Sequence, residues 1–597
     1  MNTGVADPYV WDLSDLYPSA EAWNAARDQV LATLPSIEKK RGTLGDGPEA
    51  LYAASRLMSD AHKEALRVWM WASLSADEDL RIAEMQENRQ LAQLMFTRLS
   101  EAVAWYRPEV LRVGRERIMG YVDEEPRLEP FRHDLDDLLR RAPHTLGDET
   151  EQVLAAAGQP LGAPYNVYGL LANSDIPWPT VALSNGEEVR LDSQGYSVHR
   201  QSEIRADRQT VFDAYWGKWT EFRSTIGTTL SAHLQAQVFL SRSRAYGSVL
   251  ERELFDDDMP PAVYHTLVAE VNAALPTLHR YFGLRQRMLE LDEMRYYDIY
   301  PPLLSLEREF TFEDAKQITL DAMSVLGDEW VQRQRAAFDH RWTHVYPQQG
   351  KRAGAYMAGS AYDVHPYLLL NFQDDYESVS TFAHEWGHAM HTLYSQESQP
   401  FETASYATFI AEIPSTTLEL ILQQYMVDHA ATPEEELFYL GSGLEHMRGT
   451  FFRQTMFAEF ELSLYEAIER GEALSGQGIS EIYAEILKRH HGHDDGVVRI
   501  DDLYTNEWMF IQHFYYNMYV YQYATSLTAG TALFERIRSE GEPAVERFKD
   551  LLRAGGSEYP NELLLAAGVD LTSPEPYRAL VGRMNEIMDR MEVLLDE

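Results

Sequence analysis

The stretch His384–His391 reads HEWGHAMH and lies within a segment of helical periodicity. Asp374, followed three residues later by Glu377, resembles a capping box, which predicts a helix from about residue 376 to residue 394. All three histidines are predicted on the face opposite an apolar stripe, so the core-facing side is complete without them. That stripe consists of Val379, Phe382, Ala383, Trp386, Met390 and Leu393.

The spacing within this stretch is typical of a metal site. His384 and His388 stand one helical turn apart on the same face, close enough to bind one ion. Glu385 is offset by about 100° around the axis, where it can reach a water on the metal without being a ligand. Gly387 has no side chain, so another segment can approach the metal face. The pattern indicates a zinc hydrolase with Glu385 as general base.

The motif alone leaves the site incomplete. Chance produces on the order of 0.05 such matches in a chain of this composition. His391 is unsuited to share an ion with His384, because seven residues span about 10 Å of helix axis. A catalytic zinc ion with two histidine ligands usually takes a carboxylate as the third and keeps a position for water. The third ligand is therefore expected from another segment.

The composition limits the classes of protein. The chain has 597 residues, 52 Lys plus Arg and 94 Asp plus Glu, a net charge of −42. This surplus opposes binding to nucleic acids or to anionic membranes. Thiolate sites and disulfides are excluded because there is no cysteine. With no signal-like or membrane-spanning run, we expect a soluble cytoplasmic protein of more than one core.

Most of the chain favours helix, and two short stretches favour strands. Good helix formers dominate 49–105, and helical texture returns from about residue 205. Thr180–Gly186 predicts a strand entering the turn of a short hairpin. A second strand-like patch covers 354–372, just before the histidine helix. The sequence predicts a mainly α protein with a small β-sheet beside that helix.

Six stretches spread along the chain share motifs with one enzyme family: His384–His391, Ala411–Ser415, Val10–Leu13 with Leu16 and Tyr17, Arg244–Ser248, Gly354–Tyr356 and His365–Phe372. Together they resemble the oligopeptidase F branch of the thimet oligopeptidase superfamily of zinc metallopeptidases. The resemblance covers nearly the whole chain.

The resemblance implies a third ligand, a fold and a substrate class. Glu412 would complete the zinc site with His384 and His388, one Zn²⁺ per chain. Residues 1–195 would form an N-terminal helical domain, and 196–597 a catalytic domain. The fold would be large, helical and two-lobed, with a deep central channel that admits short unstructured peptides. Glu419 lies seven residues beyond Glu412, on the same helix face; it either orients a ligand histidine or is an exposed surface acid.

Tyrosines are concentrated between His513 and Tyr523. If this segment were one helix, His513, Tyr516 and Tyr523 would lie within about 80° of one another. From the residues alone, an amphipathic helix with hydroxyls reaching water is the alternative. The resemblance implies a segment that lines the cleft and supports the transition state. We therefore predict Tyr523 as oxyanion donor with His513 in the catalytic group and Tyr516 in substrate binding; Tyr519, also placed in substrate binding, is the rival donor.

Two further clusters have competing interpretations. Gly354 and Ala355 are small enough for a substrate backbone to pair with the strand edge, or the sheet is structural only. The acidic and histidine-rich stretch 490–495 has the composition of a metal site, but its lack of helical spacing favours a solvated loop.

These inferences predict a zinc-dependent oligoendopeptidase for intracellular peptide turnover. Attack by a zinc-bound water, assisted by Glu385, would break internal bonds of short peptides. One alternative is an exopeptidase of the dipeptidyl carboxypeptidase type, for which the sequence shows no charged anchor. Another is a non-catalytic, zinc-stabilised peptide-binding protein, which would have no need of an acid at Glu385. The expected partners are short peptides, with neither nucleic acid nor membrane.

Overall fold

The structure, a computed structural model, describes residues 7–596. Its described residues form two compact units, each made of three chain segments. The first unit contains the described part of Met1–Pro143, with Arg308–Tyr425 and Leu533–Val569. The second contains His144–Glu307, Met426–Ala532 and the described part of Asp570–Glu597. The domain division expected at residue 195 falls within a segment of the second unit and stays a prediction.

Helices make up most of the described chain, as the sequence predicts. They are numbered α1–α26 in chain order. The helices α1–α13 are Ala20–Glu38, Pro48–Glu78, Ala83–Val103, Tyr106–Val113, Arg115–Glu124, Arg132–Arg140, Asp148–Leu161, Ala163–Leu170, Ser193–His199, Arg205–Glu221, Arg223–Ser243, Val249–Phe255 and Pro261–Ala273. The helices α14–α26 are Leu275–Met288, Phe312–Ala322, Asp328–Phe338, Tyr376–Ser398, Phe401–Ala404, Thr408–Asp428, Pro433–Met447, Arg453–Glu469, Gly476–His490, Tyr521–Glu540, Glu542–Ala554, Pro560–Ala566 and Glu575–Asp596.

Within residues 7–596, five short strands form two sheets. In the second unit, β1 (Thr180–Ala182) and β2 (Glu188–Arg190) form the predicted hairpin, with Gly186 at φ +85° in its turn. In the first unit, β3 (Thr343–His344), β4 (Tyr356–Ala358) and β5 (Tyr367–Leu369) follow the spatial order β3-β5-β4. β3 runs parallel to β5, and β4 runs antiparallel to it. Both predicted strand regions are confirmed.

The three-stranded sheet packs beside α17, as predicted. All three residues of β5 are fully buried. Gln396 on α17 donates a hydrogen bond to the carbonyl of Gly359 just after β4, at 2.8 Å. Gln399, the residue that follows α17, donates to the carbonyl of Arg553 in α24, at 2.9 Å. The helix is thus held between the sheet and α24.

The ends of α17 differ slightly from the prediction. The helix begins at Tyr376 as expected, but its cap is Asp375, whose carboxylate accepts from the Ser378 N–H at 2.8 Å. Asp374 instead adopts φ +57°, outside helical geometry, so the prediction of Asp374 as the cap is wrong. The helix continues to Ser398 and stops where Gln399, preceding a proline, takes an extended conformation.

Burial along α17 confirms the apolar stripe and corrects one histidine. Five of the six predicted stripe residues are buried and Leu393 is half-buried. His391 is also fully buried, with its ring stacked on Tyr406 at 3.6 Å between centroids. Burial, with the neighbouring His388, lowers the pKa of His391 to about 3. The prediction that all three histidines face away from the core is therefore wrong for His391.

None of the helices within residues 7–596 combines the length and the apolar character that crossing a bilayer requires.

Candidate active site

Three side chains of the first unit converge on one point. His384 Nε2 and His388 Nε2 lie 3.1 Å apart. Glu412 Oε2 lies 3.3 Å from the first nitrogen and 3.5 Å from the second. Ligands about 2.0–2.1 Å from a tetrahedral zinc ion are separated by roughly 3.3–3.4 Å. The donor set and its spacing therefore fit such an ion. Among the described residues, this is the one cluster of its kind.

Gly387 explains how the two helices come close enough. A Cβ built at this position would lie 2.4 Å from the Cα of Ser415 on α19 and 2.9 Å from its backbone nitrogen. Real Cβ contacts do not become this short, so only glycine permits this approach. Glu412 lies one turn before Ser415 on α19, and the close packing brings its carboxylate to the two histidines.

The Glu412 carboxylate is held by a local contact as well. Ser415 Oγ donates to Glu412 Oε2 at 3.3 Å. Burial raises the pKa of Glu412, but the hydrogen bonds and charges of His384 and His388 outweigh it and leave that pKa well below its ordinary value. The group is thus an anion, as a metal ligand must be.

Glu419 lies behind the cluster rather than in solvent. Its Oε1 is 2.5 Å from His384 Nδ1, the ring nitrogen that points away from the convergence point. Burial lowers the pKa of His384, yet its hydrogen bonds to Glu412 and Glu419 outweigh burial and raise that pKa well above normal. A carboxylate on the outer nitrogen of a ligand histidine fixes the ring's orientation. It also makes the inner nitrogen more basic and hence a stronger metal ligand.

Glu385 is buried, with 6% of its surface exposed. Burial raises its pKa, and the neighbouring His384 and His388 partly oppose that shift. A carboxylate with a raised pKa next to a metal site suits proton transfer near neutral pH.

In the second unit, the histidine- and tyrosine-rich segment is not one helix. Two short 3₁₀ helices, Asp502–Phe510 and Gln512–Tyr515, are followed by Asn517 at φ +51° and Met518 at φ +54°. The α-helix α23 begins only at Tyr521. The helical phasing predicted for His513, Tyr516 and Tyr523 is therefore wrong, because two left-handed residues interrupt the helix.

Tertiary contacts hold that interruption. The N–H of Met518 donates to Glu461 Oε1 at 2.7 Å. Asn517 Oδ1 accepts from the Tyr465 hydroxyl at 2.9 Å and lies 2.8 Å from His233 Nε2. Both Glu461 and Tyr465 belong to α21. No pattern within residues 513–523 predicts a contact with that helix.

The predicted residues of this segment nevertheless form one aromatic cluster. The His513 ring centroid lies 5.5 Å from that of Tyr516 and 6.2 Å from those of Tyr519 and Tyr523. Tyr165 joins it, since its hydroxyl is 3.1 Å from the Tyr516 hydroxyl. Tyr165 was missed from the sequence because it lies some 350 residues away on α8.

Gly354 and Ala355 precede the edge strand β4. Gly354 is exposed and adopts φ +85°, a conformation that favours glycine. Its carbonyl accepts a hydrogen bond from Asn371 Nδ2 at 2.7 Å, which fixes the turn into the strand.

The stretch 490–495 differs from the solvated loop that was expected. His490 and His491 are buried, with 1% and 6% of their surfaces exposed. His490 Nε2 lies 3.0 Å from Glu459 Oε2, and the His491 ring stacks on Phe282. The expectation of a solvated loop is therefore wrong at these two positions, because α22 carries them into the core.

A mainly helical fold in which two histidines of one helix and a glutamate of another surround a single point defines a metallopeptidase. The comparisons with known proteins identify its family. Residues 198–582 match the model of peptidase family M3, and residues 109–177 match that of oligopeptidase F. The chain belongs to peptidase family M3 and is a metalloendopeptidase, so the resemblance to the oligopeptidase F branch is confirmed.

Individual relatives agree over nearly the full length. The chain is 36% identical to oligopeptidase PepF of Bacillus subtilis, over 98% of this chain and 87% of that protein. It is 32% identical to group B oligopeptidase PepB of Streptococcus agalactiae, over 99% and 98%. The structure of oligoendopeptidase-F from Enterococcus faecium superposes with a TM-score of 0.74 at 30% identity, covering 96% of this chain and 99% of that one.

Proposed function

We propose that this metalloendopeptidase is a zinc-dependent oligoendopeptidase that hydrolyses internal bonds of short, unstructured peptides in cellular peptide turnover. The observation that carries the proposal is the convergence of His384 Nε2, His388 Nε2 and Glu412 Oε2 within 3.1–3.5 Å, next to the buried Glu385. The relatives named oligopeptidase and oligoendopeptidase support the substrate class.

His384, His388 and Glu412 would hold one Zn²⁺ per chain, with Glu419 orienting His384. Two imidazole nitrogens and one carboxylate oxygen are a common donor set of catalytic zinc. When bound, the ion supplies a Lewis acid that polarises the scissile carbonyl and makes a neighbouring water more acidic.

Glu385 moves the proton. Its carboxylate accepts a proton from the attacking water as the water oxygen bonds to the carbonyl carbon. The same group then donates that proton to the amide nitrogen as the C–N bond breaks, so the amine leaves neutral. Because the pKa of Glu385 is raised, it lies closer to pH 7, and a group whose pKa is near the working pH both accepts and donates a proton efficiently.

The aromatic cluster of the second unit supplies donors for the substrate. We assign the Tyr523 hydroxyl to the oxyanion, with His513 beside it in the catalytic group. Tyr516 and Tyr519 bind substrate, and the edge preceding β4 at Gly354 and Ala355 pairs with an extended peptide backbone. The cytoplasmic location expected from the sequence stays a prediction.

Cleavage of a doubly blocked peptide tests this function. The substrate is a quenched fluorogenic peptide acetylated at one end and amidated at the other, assayed before chelation, after it and after zinc is returned. We expect cleavage, its loss on chelation and its recovery with zinc. An exopeptidase would leave the blocked peptide intact and cut an unblocked one, whereas a binding protein would cut neither.

Glu385→Gln tests the proton transfer. The variant should lower kcat by about 10³-fold, within the usual contribution of a general base, while zinc content stays at one ion per chain by elemental analysis. Glu397→Gln is the matched control: it removes the same charge from the same helix, at a side chain that is 55% exposed. Unchanged turnover in Glu385→Gln would overturn the mechanism.

A further inference from the structure

A cavity of about 510 Å³ lies wholly within the second unit. Arg200, Arg448 and Arg453 line it together with His513, which the proposed function places in the catalytic group. Phe457 and Phe510 add apolar surface. This volume lies in the range of sites that bind small ligands, roughly 300–1,000 Å³.

Positive charge exceeds negative charge around this cavity. Two of its three arginines and one neighbouring arginine form ion pairs with two carboxylates. Arg285 and Arg448 share Glu445, at 2.9 and 3.0 Å, and Arg453 pairs with Glu507 at 2.5 Å. With Arg200, four guanidiniums thus face two carboxylates. Such a local excess is notable in a chain of net charge −42.

Among the guanidiniums around the cavity, Arg200 is the one with no counter-charge within the described residues 7–596. It lies over two aromatic rings, 5.2 Å from the centroid of Tyr196 and 4.4 Å from that of Tyr300. Its Nε is buried and has no hydrogen-bond partner among the described residues. A guanidinium that lines a cavity and has no counter-charge there is suited to bind an anionic ligand.

Tyr300 connects the Arg200 guanidinium to the other two arginines of the cavity. The guanidinium of Arg448 lies 6.0 Å from the same ring. Arg453 donates to the Tyr296 hydroxyl at 3.3 Å, and the Tyr296 and Tyr300 rings are 6.3 Å apart. The aromatic rings therefore fix the three cavity arginines around one space.

We propose that this cavity binds a carboxylate group of the peptide substrate, with Arg200 as its principal partner. A planar guanidinium matches a carboxylate through two parallel hydrogen bonds. One carboxylate lowers the local excess from two positive charges to one, whereas a polyanion would be repelled by the protein as a whole. His513 lines the same cavity, so the anchored group lies beside a residue of the proposed reaction. The inference rests on the proposed function and extends it to a preference for peptides that carry a carboxylate group at the position bound in this cavity.

Two matched pairs of quenched peptides identify the source of the carboxylate. The first pair lacks acidic residues and differs only in a free C-terminal carboxylate or a C-terminal amide. The second pair is amidated and differs only in Glu or Gln on the C-terminal side of the scissile bond. We expect one pair to show about a tenfold lower KM for its acidic member, as for one charge-assisted hydrogen bond.

Arg200→Gln should abolish that preference, so that the two members of the pair have the same KM, since charge-assisted hydrogen bonds are lost only with the acidic member. Arg200→Lys should restore part of it, because lysine keeps the charge but lacks the planar fork. Arg190→Gln is the control: it removes the same charge from the same unit, at a side chain that is 64% exposed. The thermal unfolding of each variant reports whether the fold is intact.

The outcomes separate the two proposals. No cleavage of any wild-type substrate would overturn the proposed function itself. Cleavage of all four peptides without an acidic preference would overturn the carboxylate site alone, even if every Arg200 variant failed to fold. A preference that survives Arg200→Gln in a folded protein would also overturn it.

Discussion

The metal cluster of the first unit and the aromatic cluster of the second differ in how their residues are brought together. His384 and His388 belong to one uninterrupted helix, so their spacing in sequence is their spacing in space. His513 and Tyr523 are separated by a pair of left-handed residues, Asn517 and Met518. Their proximity depends on α21, which binds that interruption.

The difference shows where a periodic pattern carries information. A helical repeat predicts neighbours only while each N–H bonds to the carbonyl four residues back. In the second unit a carboxylate from another helix takes over the Met518 N–H, and the phasing is lost. The three substitutions below test each cluster at the contact that holds it.

Gly387→Ala should have the largest effect on stability. The added Cβ would meet the backbone of Ser415 at 2.4 Å, so α17 and α19 must separate. We expect the free energy of unfolding to fall by about 3 kcal/mol, the upper range for overpacking, and zinc binding to weaken because Glu412 moves. Urea unfolding and zinc titration measure both.

Gly217→Ala provides the comparison for that substitution. Gly217 lies within α10, and a Cβ there would meet nothing within 4 Å. Alanine should be neutral or stabilise the helix by up to about 1 kcal/mol. Equal behaviour of the two variants would show that the close approach of α17 and α19 is not what Gly387 provides.

Glu419→Gln should weaken zinc binding by about 10–100-fold, the usual effect of losing an outer partner of a ligand histidine. The neutral amide still occupies the space next to His384 Nδ1, but its oxygen accepts the N–H hydrogen bond more weakly than a carboxylate does. Competition with a fluorescent chelator measures the affinity. Glu377→Gln, an exposed acid in the first turn of α17, should leave it unchanged; a shared loss would point to general charge rather than to the His384 contact.

Glu461→Gln tests the contact that holds the aromatic segment. Burial, with the nearby Glu253, raises the pKa of Glu461 to about 8, although the Met518 N–H opposes this. Between about pH 4.5 and 8 the folded state therefore keeps a proton that the unfolded state has released, so stability falls as pH rises through that window. Glutamine can still accept from Met518 without titrating, and the variant should be more stable by about 1 kcal/mol at pH 8.

Urea unfolding at pH 5, 6.5 and 8 measures that trend. The matched control is Glu459→Gln on the same helix. Burial raises the pKa of Glu459, but its hydrogen bonds to His490 and Asn272 outweigh burial and lower it. Its replacement should cost the same amount of stability at all three pH values, because the contribution of a carboxylate with a lowered pKa is complete above about pH 4.5; at pH 8 the sign is opposite to that of Glu461→Gln. The same sign in both variants would contradict the assignment for Glu461.

Much of the fold follows from the sequence, because local rules govern it. The start of α17, the β1–β2 hairpin and the sheet beside α17 all depend on short patterns of residues. The error at Asp374 is one residue wide, since adjacent aspartates compete for one cap. His391 was misplaced because helical phase gives a direction but not what packs there, and Tyr406 covers it.

The site could be predicted only in part. The spacing of His384 and His388 alone indicates a metal site. Glu412 could be predicted only from the family resemblance, because no local pattern shows which helix packs against α17. Arg200 and His513 line one cavity although about 300 residues separate them. Neither segment contains a pattern that predicts contact with the other. The carboxylate site can therefore be recognised only in the three-dimensional structure.

Each unit is made of three segments that are far apart in the sequence, and this has a consequence during synthesis. The metal ligands lie within Arg308–Tyr425, but α17 is completed by α24, in a segment that ends at Val569. Translation of the roughly 150 residues between Glu412 and Val569 takes on the order of 10–30 s. For that interval the surface of α17 that α24 will cover stays exposed on the ribosome. Apolar surface exposed for such an interval makes a nascent chain prone to aggregation.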